Sequence, residues 1–361
     1  MATRTERRPL SDLAIPPGEL LAEELEARGM TQKELADRTG RPEQTISEII
    51  NAKKSITHDT ALELEKALGI SADFWVNLEA SYQLTRARLR EREELKKQED
   101  WLAFFPVREL QERGYIPKTR DKREMLAGLL RFFGVASFSA LRQRQDAMLE
   151  YRITSKAKVS EGALWAWLRA GDIEAGHVET LPYNERRFAE VLREIRNLTI
   201  EEADIFVPGM RELCASAGVA FVIVKEFRKS AANGVARWVS PDKALIQLST
   251  RRRSTDIFWF SFYHEAKHVL DRQKRRAFVD GINDEPEAED AADRFAADML
   301  IPASEWAAFA RAEAKSPQAV TAFAQRVGVE PGIVVGRLQH EGLIPYENLN
   351  RLRRRFVWSD D

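Results

Sequence analysis

The segment Phe260-Ser-Phe-Tyr-His-Glu-Ala-Lys-His-Val-Leu270 constrains the chain more than any other stretch. It places the pattern H-E-x-x-H inside an apolar run. On an α-helix, residues four apart share a face, so His264 and His268 point the same way, one turn apart. Two imidazoles at that spacing can hold one Zn²⁺. Glu265 lies about 100° round the helix, off the ligand face but within reach of a proton on a metal-bound water. Zinc lowers the pKa of such a water to about 7, and a neighbouring carboxylate completes a peptide-hydrolysing site. The competing reading is an amphipathic core helix with two chance histidines. Two observations weigh against it. The chain has five histidines and two of them fall here. Glu287, Glu289, Asp290 and Asp293 follow downstream, where the helical pattern Asp290 to Pro302 begins. A zinc peptidase needs a third protein ligand and an open fourth position, and two histidines with a glutamate form one such set.

The helix His264 to His268, the acidic turn and the stretch Phe295-Ala-Ala-Asp-Met-Leu-Ile-Pro302 together resemble the ImmA/IrrE-type metallopeptidases. The resemblance implies that the third ligand is the glutamate six residues before Phe295, which is Glu289; Asp293, one helical turn on, falls behind the ligands. It also implies a zincin-like domain with a small sheet. The chain departs from many members at Lys267, where they carry glycine. A long cation there either crowds the metal or snorkels to solvent.

The N-terminal quarter follows a different pattern. Short helical repeats run from Gly18 to Arg28, from Thr31 to Gly40, from Pro42 to Ile50, from Asp59 to Leu68 and from Ser71 to Tyr82. Thr31 with Glu34 three residues on is a capping box, and Pro42 suits the first turn of the third helix. Ile46, Ile49 and Ile50 point inward on that helix, while Gln44, Thr45, Ser47 and Glu48 point outward. Helix, glycine-containing turn, helix, with a polar face on the second member, is the helix-turn-helix layout. Gln44, Thr45 and Ser47, with Gln32 opening the preceding helix, are of the types that read base edges, and Arg41, Lys53 and Lys54 of the type that grips phosphates. A helical bundle that binds only protein remains the alternative. Residues 1–80 hold 10 Lys+Arg against 15 Asp+Glu, a net of −5, so contact with DNA rests on a local basic rim and on pairing of two copies.

The stretches Pro16–Leu20, Met30–Leu35, Arg41–Ile50 and Ser71–Leu78 together resemble HigA-type antitoxins across nearly all of residues 14–86. The resemblance implies operator DNA and a cognate toxin as partners, with a homodimer as the binding species. The acidic excess suits a small basic toxin.

The expected organisation is α+β and mainly helical. A helix-turn-helix domain covers 1–82, a charged connecting helix 83–100, a helical middle 101–195 and a zinc peptidase-like domain 196–361. In the middle region Trp101, Phe104, Phe105, Phe132, Phe133, Phe138, Trp165 and Trp167 supply a helical core, with breaks expected at glycines and prolines that include Gly134 and Gly171. Val219–Val224, Gly234–Val239 and Ala244–Leu248 read as strands. His177 reads as a surface loop residue, Cys214 as core, and Arg251–Arg253 and Arg351–Phe356 as solvated basic runs. No apolar run approaches the roughly 20 residues of a membrane span. The first residues lack the apolar core of a signal peptide, and a single cysteine fits a reducing compartment, so the expectation is a cytoplasmic protein with no membrane partner. Two functions stay open. One is a regulator whose zinc endopeptidase domain cleaves a regulatory protein or the chain itself. The other is a repressor or antitoxin whose metal domain senses a signal or docks a partner without proteolysis.

Overall fold

The computed structural model describes residues 13–148, 160–251, 254–271, 278–279, 286–312 and 315–355. Arg252, Arg253 and Phe356 lie outside them. The chain forms two compact units, residues 1–99 and 100–361.

The first unit is five helices: α1 (Pro17–Ala27), α2 (Gln32–Thr39), α3 (Glu43–Ile50), α4 (His58–Leu68) and α5 (Ala72–Lys96). Local chemistry fixes their ends. The Thr31 hydroxyl accepts the Glu34 N–H at 3.1 Å, and α2 stops at Gly40, whose φ of 69° is left-handed. Pro42 stands just before α3 as its N-cap rather than inside its first turn. Leu21, Leu25, Leu35, Ile46, Ile49, Leu64 and Trp75 close the core. Residues 72–96 form one continuous helix, so the charged run extends the fifth helix instead of making a separate one.

The second unit holds both the aromatic helices and the sheet. It runs through α6 (Asp100–Phe104), α7 (Val107–Glu112), α8 (Lys122–Phe133), α9 (Phe138–Met148), α10 (Glu161–His177), α11 (Glu185–Arg196) and α12 (Ala203–Ser216). Then come β1 (Val219–Val224), β2 (Gly234–Ser240), β3 (Lys243–Ser249), α13 (Thr255–Leu270) and the two-residue β4 (Phe278–Val279). The helices α14 (Pro286–Leu300), α15 (Ala303–Arg311), α16 (Pro317–Val327) and α17 (Pro331–His340) complete it. Residue 195, where the sequence suggests a boundary, lies inside this unit.

The sheet order is β1-β3-β2-β4. β3 pairs parallel with β1 and antiparallel with β2. Both faces are covered, which is why β3 is buried almost throughout. On one face Phe221, Ala236, Ile246 and Leu248 share a core with Phe258 and Phe262 of α13. On the other, α10 crosses close to the strands. Arg237 and Gln247, both buried, bind it: Arg237 meets Asp172 at 2.9 Å and donates to Leu168 O, while Gln247 donates to Trp167 O. Gly171 permits this approach, since a Cβ there would overlap the Gln247 amide. Gly171 therefore lies within a continuous helix where the sequence suggests a break, its smallness serving packing rather than a turn. His177 is the exposed last residue of α10.

Lys122–Arg144 is long and apolar enough to cross a membrane by length and composition. Here it is two helices, the first capped by Gly134 with φ 66° and the second starting at Phe138, and Leu126, Leu129, Phe132, Phe133 and Phe138 are buried in the protein. Trp101 stacks on Phe138, and Phe105 packs on Phe133, so the aromatic residues are packing as the sequence suggests. Cys214 is fully buried core. The C-terminal basic run is not simply solvated. Arg353 pairs with Asp256, and Arg354 O accepts the Thr255 N–H, so the run holds the start of α13.

In the first unit α1 begins against the end of α3, and a Cβ at Gly18 would overlap the carbonyl oxygens of Ile49 and Ile50. Backbone cannot yield as a flexible side chain does. Gly18→Ala is expected to destabilise this unit by about 1–3 kcal/mol, read as faster amide hydrogen exchange across α1 and α3 by mass spectrometry. Unchanged exchange there is the contrary result.

Candidate metal centre and nucleic-acid face

The metal centre is built on two packed helices, α13 and α14. The apolar face of α13, with Phe258, Phe262, Ala266 and Val269, is buried against the sheet and its neighbours. That packing fixes its rotation and turns His264 and His268 toward α14. Pro286 opens α14, placing Glu289 in its first turn. His264 Nε2 and His268 Nε2 lie 3.2 Å apart. Glu289 Oε2 is 3.2 Å from His264 Nε2, and Glu289 Oε1 is 3.6 Å from His268 Nε2. Ligands at about 2.0–2.1 Å from a tetrahedral zinc ion are separated by roughly 3.3 Å, so these three groups fit one face of such an ion. The donor set, two imidazoles and a carboxylate, suits zinc by type as well.

Asp293, one turn along α14 from Glu289, accepts the His264 Nδ1–H at 2.8 Å. When His264 is neutral, that bond fixes the tautomer with its Nε2 lone pair toward the ligand cluster. Glu265 is fully buried. It lies beneath the first residue of β2, where a Cβ on Gly234 would stand 2.7 Å from Glu265 Oε1. Gly234 is thus part of the site, although its position opening a strand is the sole sequence signal for it. Lys267 pairs with Asp271 on its own helix and leaves the ligand face clear, which is the snorkelling alternative.

The two histidines titrate in opposite directions. Burial opposes charge on His264, but hydrogen bonds to Asp293 and Glu289 and the charge of Glu265 outweigh it and raise its pKa to about 10. Burial, the neighbouring His264 charge and Lys267 lower His268 to about 3. Without metal the pair therefore shares one proton near neutral pH. A metal ion must displace that proton, so metal affinity rises with pH until His264 is neutral.

The candidate nucleic-acid face is on the first unit. Gln44 is exposed on α3 and donates to Glu48. Ser47 is half-buried, and the half-buried Gln32 opens α2. Thr45 departs from expectation. It is buried, and its hydroxyl faces Lys54 Nζ at 3.5 Å, so it does not point outward as its place in the sequence suggests. The helix is short and tightly flanked, so the inward arc takes in Thr45 beside Ile46 and Ile49. Arg41 is bound by Glu63 and Lys54 leans toward Glu48, which leaves each less available to a phosphate. Lys53 is exposed with no ionic partner among the described residues.

A helix-turn-helix family model matches residues 21–75. The first unit is a DNA-binding helix-turn-helix module of the HigA-like regulator type. Through it the chain belongs to the HigA-type antitoxin family: it is 38% identical over 94 residues to antitoxin HigA-1 of Vibrio cholerae, covering 26% of this chain and 84% of that protein. Virulence-associated protein I of Dichelobacter nodosus is 39% identical over 75 residues, covering 20% of this chain and 69% of that protein. Among solved structures, Pseudomonas aeruginosa antitoxin HigA with the higBA promoter is 28% identical, covers 24% of this chain and 94% of that one, and has a TM-score of 0.23.

Two outcomes test the metal centre. Glu289→Ala is expected to lose most bound zinc and Glu287→Ala to keep it, by elemental analysis. For the intact protein, the apparent zinc Kd is expected to tighten about tenfold per pH unit between roughly pH 7 and 9, as one proton is displaced, in competition with a chromophoric chelator. A flat profile contradicts the shared proton.

Proposed function

We propose that the chain is a DNA-binding regulator of the antitoxin type that carries a zinc-dependent endopeptidase centre. The observation supporting the enzymatic half is the convergence of His264, His268 and Glu289 beside the buried Glu265. Zinc bound there supplies a Lewis acid and a water of pKa about 7. His264, His268 and Glu289 would hold the ion, and Asp293 would keep His264 in the tautomer that can do so. Glu265 would serve as the general base and acid, taking a proton from the water and passing it to the leaving amine. Its buried position, permitted by Gly234, keeps that carboxylate off the ligand face and away from bulk water. The substrate is a polypeptide, either a regulatory protein or the chain itself, presented as an extended strand beside the sheet. This is the chemistry that the ImmA/IrrE resemblance implies.

The regulatory half rests on the first unit. Operator DNA is its ligand, with α3 in the major groove of a two-fold site, and two copies bind because one acidic module gains little from phosphates. A small basic toxin is the second partner, and the cytoplasm the place where both act. On this reading Gln44→Ala removes most sequence preference, whereas Lys53→Ala weakens binding to all sequences alike and lowers the salt slope by about 1. Gel shifts on operator and scrambled duplexes across a salt series measure both. A Gln44→Ala variant that keeps its preference places the reading residues elsewhere.

Glu265→Gln separates an enzyme from a zinc-holding sensor. The variant is expected to keep its zinc and its DNA binding and to lose about 10²–10⁴-fold in cleavage rate. Metal analysis, gel shifts and digests of candidate regulatory proteins with and without chelator provide the readouts. Derepression that proceeds unchanged in this variant makes the domain a sensor or docking module.

A further inference from the structure

We propose that Arg86 of α5 joins Lys53 and Lys54 in one anion site beside α3, and that this site takes a single backbone phosphate of the DNA. The inference rests on the operator-binding reading and adds to it a helix that the sequence presents as a connector. A small cavity of about 80 Å³ opens between the turn that follows α3 and one side of α5, with Pro17 and Gly18 of α1 completing the wall. Sites for whole small molecules begin at roughly 300 Å³, so this space suits one compact group.

The charge of the lining selects that group. Lys53, Lys54 and Arg86 stand against one acid, Glu79, three cations to one anion and a net of +2. Residues 1–80 carry a net of −5, so the cluster runs against the charge of its own domain. Glu79 is already engaged, accepting the Ile56 N–H at 3.1 Å and the Gln83 side-chain N–H at 2.8 Å. Lys53 and Arg86 are exposed and have no ionic partner among the described residues. Lys54 reaches Glu48 only at 3.9 Å. The Ser55 hydroxyl accepts from Gln83 at 3.3 Å, which leaves its O–H to donate.

Position ties the cavity to α3. Ile49, in the last turn of that helix, lines it, and so does the turn from Ala52 to Ser55. The turn is held in place, since Glu48 O accepts both the Lys53 and the Lys54 N–H, at 2.8 and 3.1 Å. A helix lying in the major groove brings the sugar-phosphate backbone across the residues at its ends. Arg86 reaches the same place from another helix, because α5 runs unbroken from Ala72 to Lys96 and Gln83 joins it to Ser55. The Arg86 guanidinium lies 5.4 Å from the centre of the Tyr82 ring, a contact that holds the charge at the cavity edge without cancelling it.

The test uses the full chain with two labelled duplexes, one from the chain's own promoter and one scrambled, in fluorescence anisotropy across a salt series. Arg86→Ala is expected to weaken both alike, by about tenfold at low salt, and to lower the salt slope by about 1. The double variant Lys53→Ala with Arg86→Ala is expected to lower the slope by about 1 rather than about 2, because both cations serve one phosphate. Arg90→Ala removes an exposed charge one turn along α5 and outside the cavity, and is expected to leave affinity and slope nearly unchanged. Inorganic phosphate, titrated without DNA at constant ionic strength, is expected to show no saturable binding by calorimetry.

A parent protein that binds neither duplex overturns the operator-binding reading and the site with it. Parent binding that Arg86→Ala leaves unchanged keeps that reading and overturns the site. A double variant that lowers the slope by about 2 puts the cations on separate phosphates and overturns the shared site. An equal loss in Arg90→Ala makes the effect one of overall charge and overturns it as well. Saturable binding of inorganic phosphate that Arg86→Ala abolishes, with DNA binding intact, assigns the cavity to a free anion instead.

Discussion

The packing of α13 between the sheet and α14 is the contact on which the second unit depends. Its apolar side sets the rotation of the helix, and that rotation delivers His264 and His268 to Glu289 and Asp293. A turn of tens of degrees about the helix axis would separate the imidazoles from the carboxylates. The same seating presses Glu265 against the start of β2, and Gly234 alone among the twenty residue types leaves room for it without a Cβ. The core and the candidate chemistry are thus two sides of one helix.

The start of α13 is secured by polar contacts that the sequence scatters widely. Asp256 in its first turn is nearly buried and is held by Arg353, close to the end of the described chain. Glu330, buried before α17, accepts from the Thr255 hydroxyl at 2.8 Å. Burial raises the Glu330 pKa, and its bonds to Thr255, Gly332 and Arg354 work against that rise. A buried carboxylate with such partners is costly to disturb, so the C-terminal run acts as part of the support for the metal helix. Asp256 and Arg353 also line a cavity among α13, α14 and α17.

The two units draw on different physics. The first is a small bundle whose helix ends are written locally, by Thr31, Gly40, Thr57, Gly69 and Ser71, each at a cap position. On its surface Arg41 leans on Glu63 and Lys54 on Glu48. Phosphate contact by these two residues would then depend on competition with those acids. The second unit packs a core cluster that runs from Phe188 to Ile344, with the aromatic helices of its N-terminal part packed among themselves.

Periodicity and local caps were enough to read the helix-turn-helix unit, the three main strands and the helix bearing His264, because those signals act within one or two turns. The pairing of Glu289 and Asp293 with the histidines was legible through their types and the resemblance they carry, and the structure brings the four side chains together. Other features needed the tertiary structure. Gly171 and Gly234 look like breaks or strand ends, and their purpose emerges when Gln247 and Glu265 arrive from elsewhere in the chain. Thr45 looks outward on a helical wheel, yet burial of the short α3 draws it in beside Lys54. Arg353 looks like part of a solvated tail and instead pairs with Asp256 across nearly a hundred residues. Spacing along a helix is a property of the chain alone. Which side chain fills the space opposite a missing Cβ, or which acid meets a distant arginine, is decided when separate elements pack.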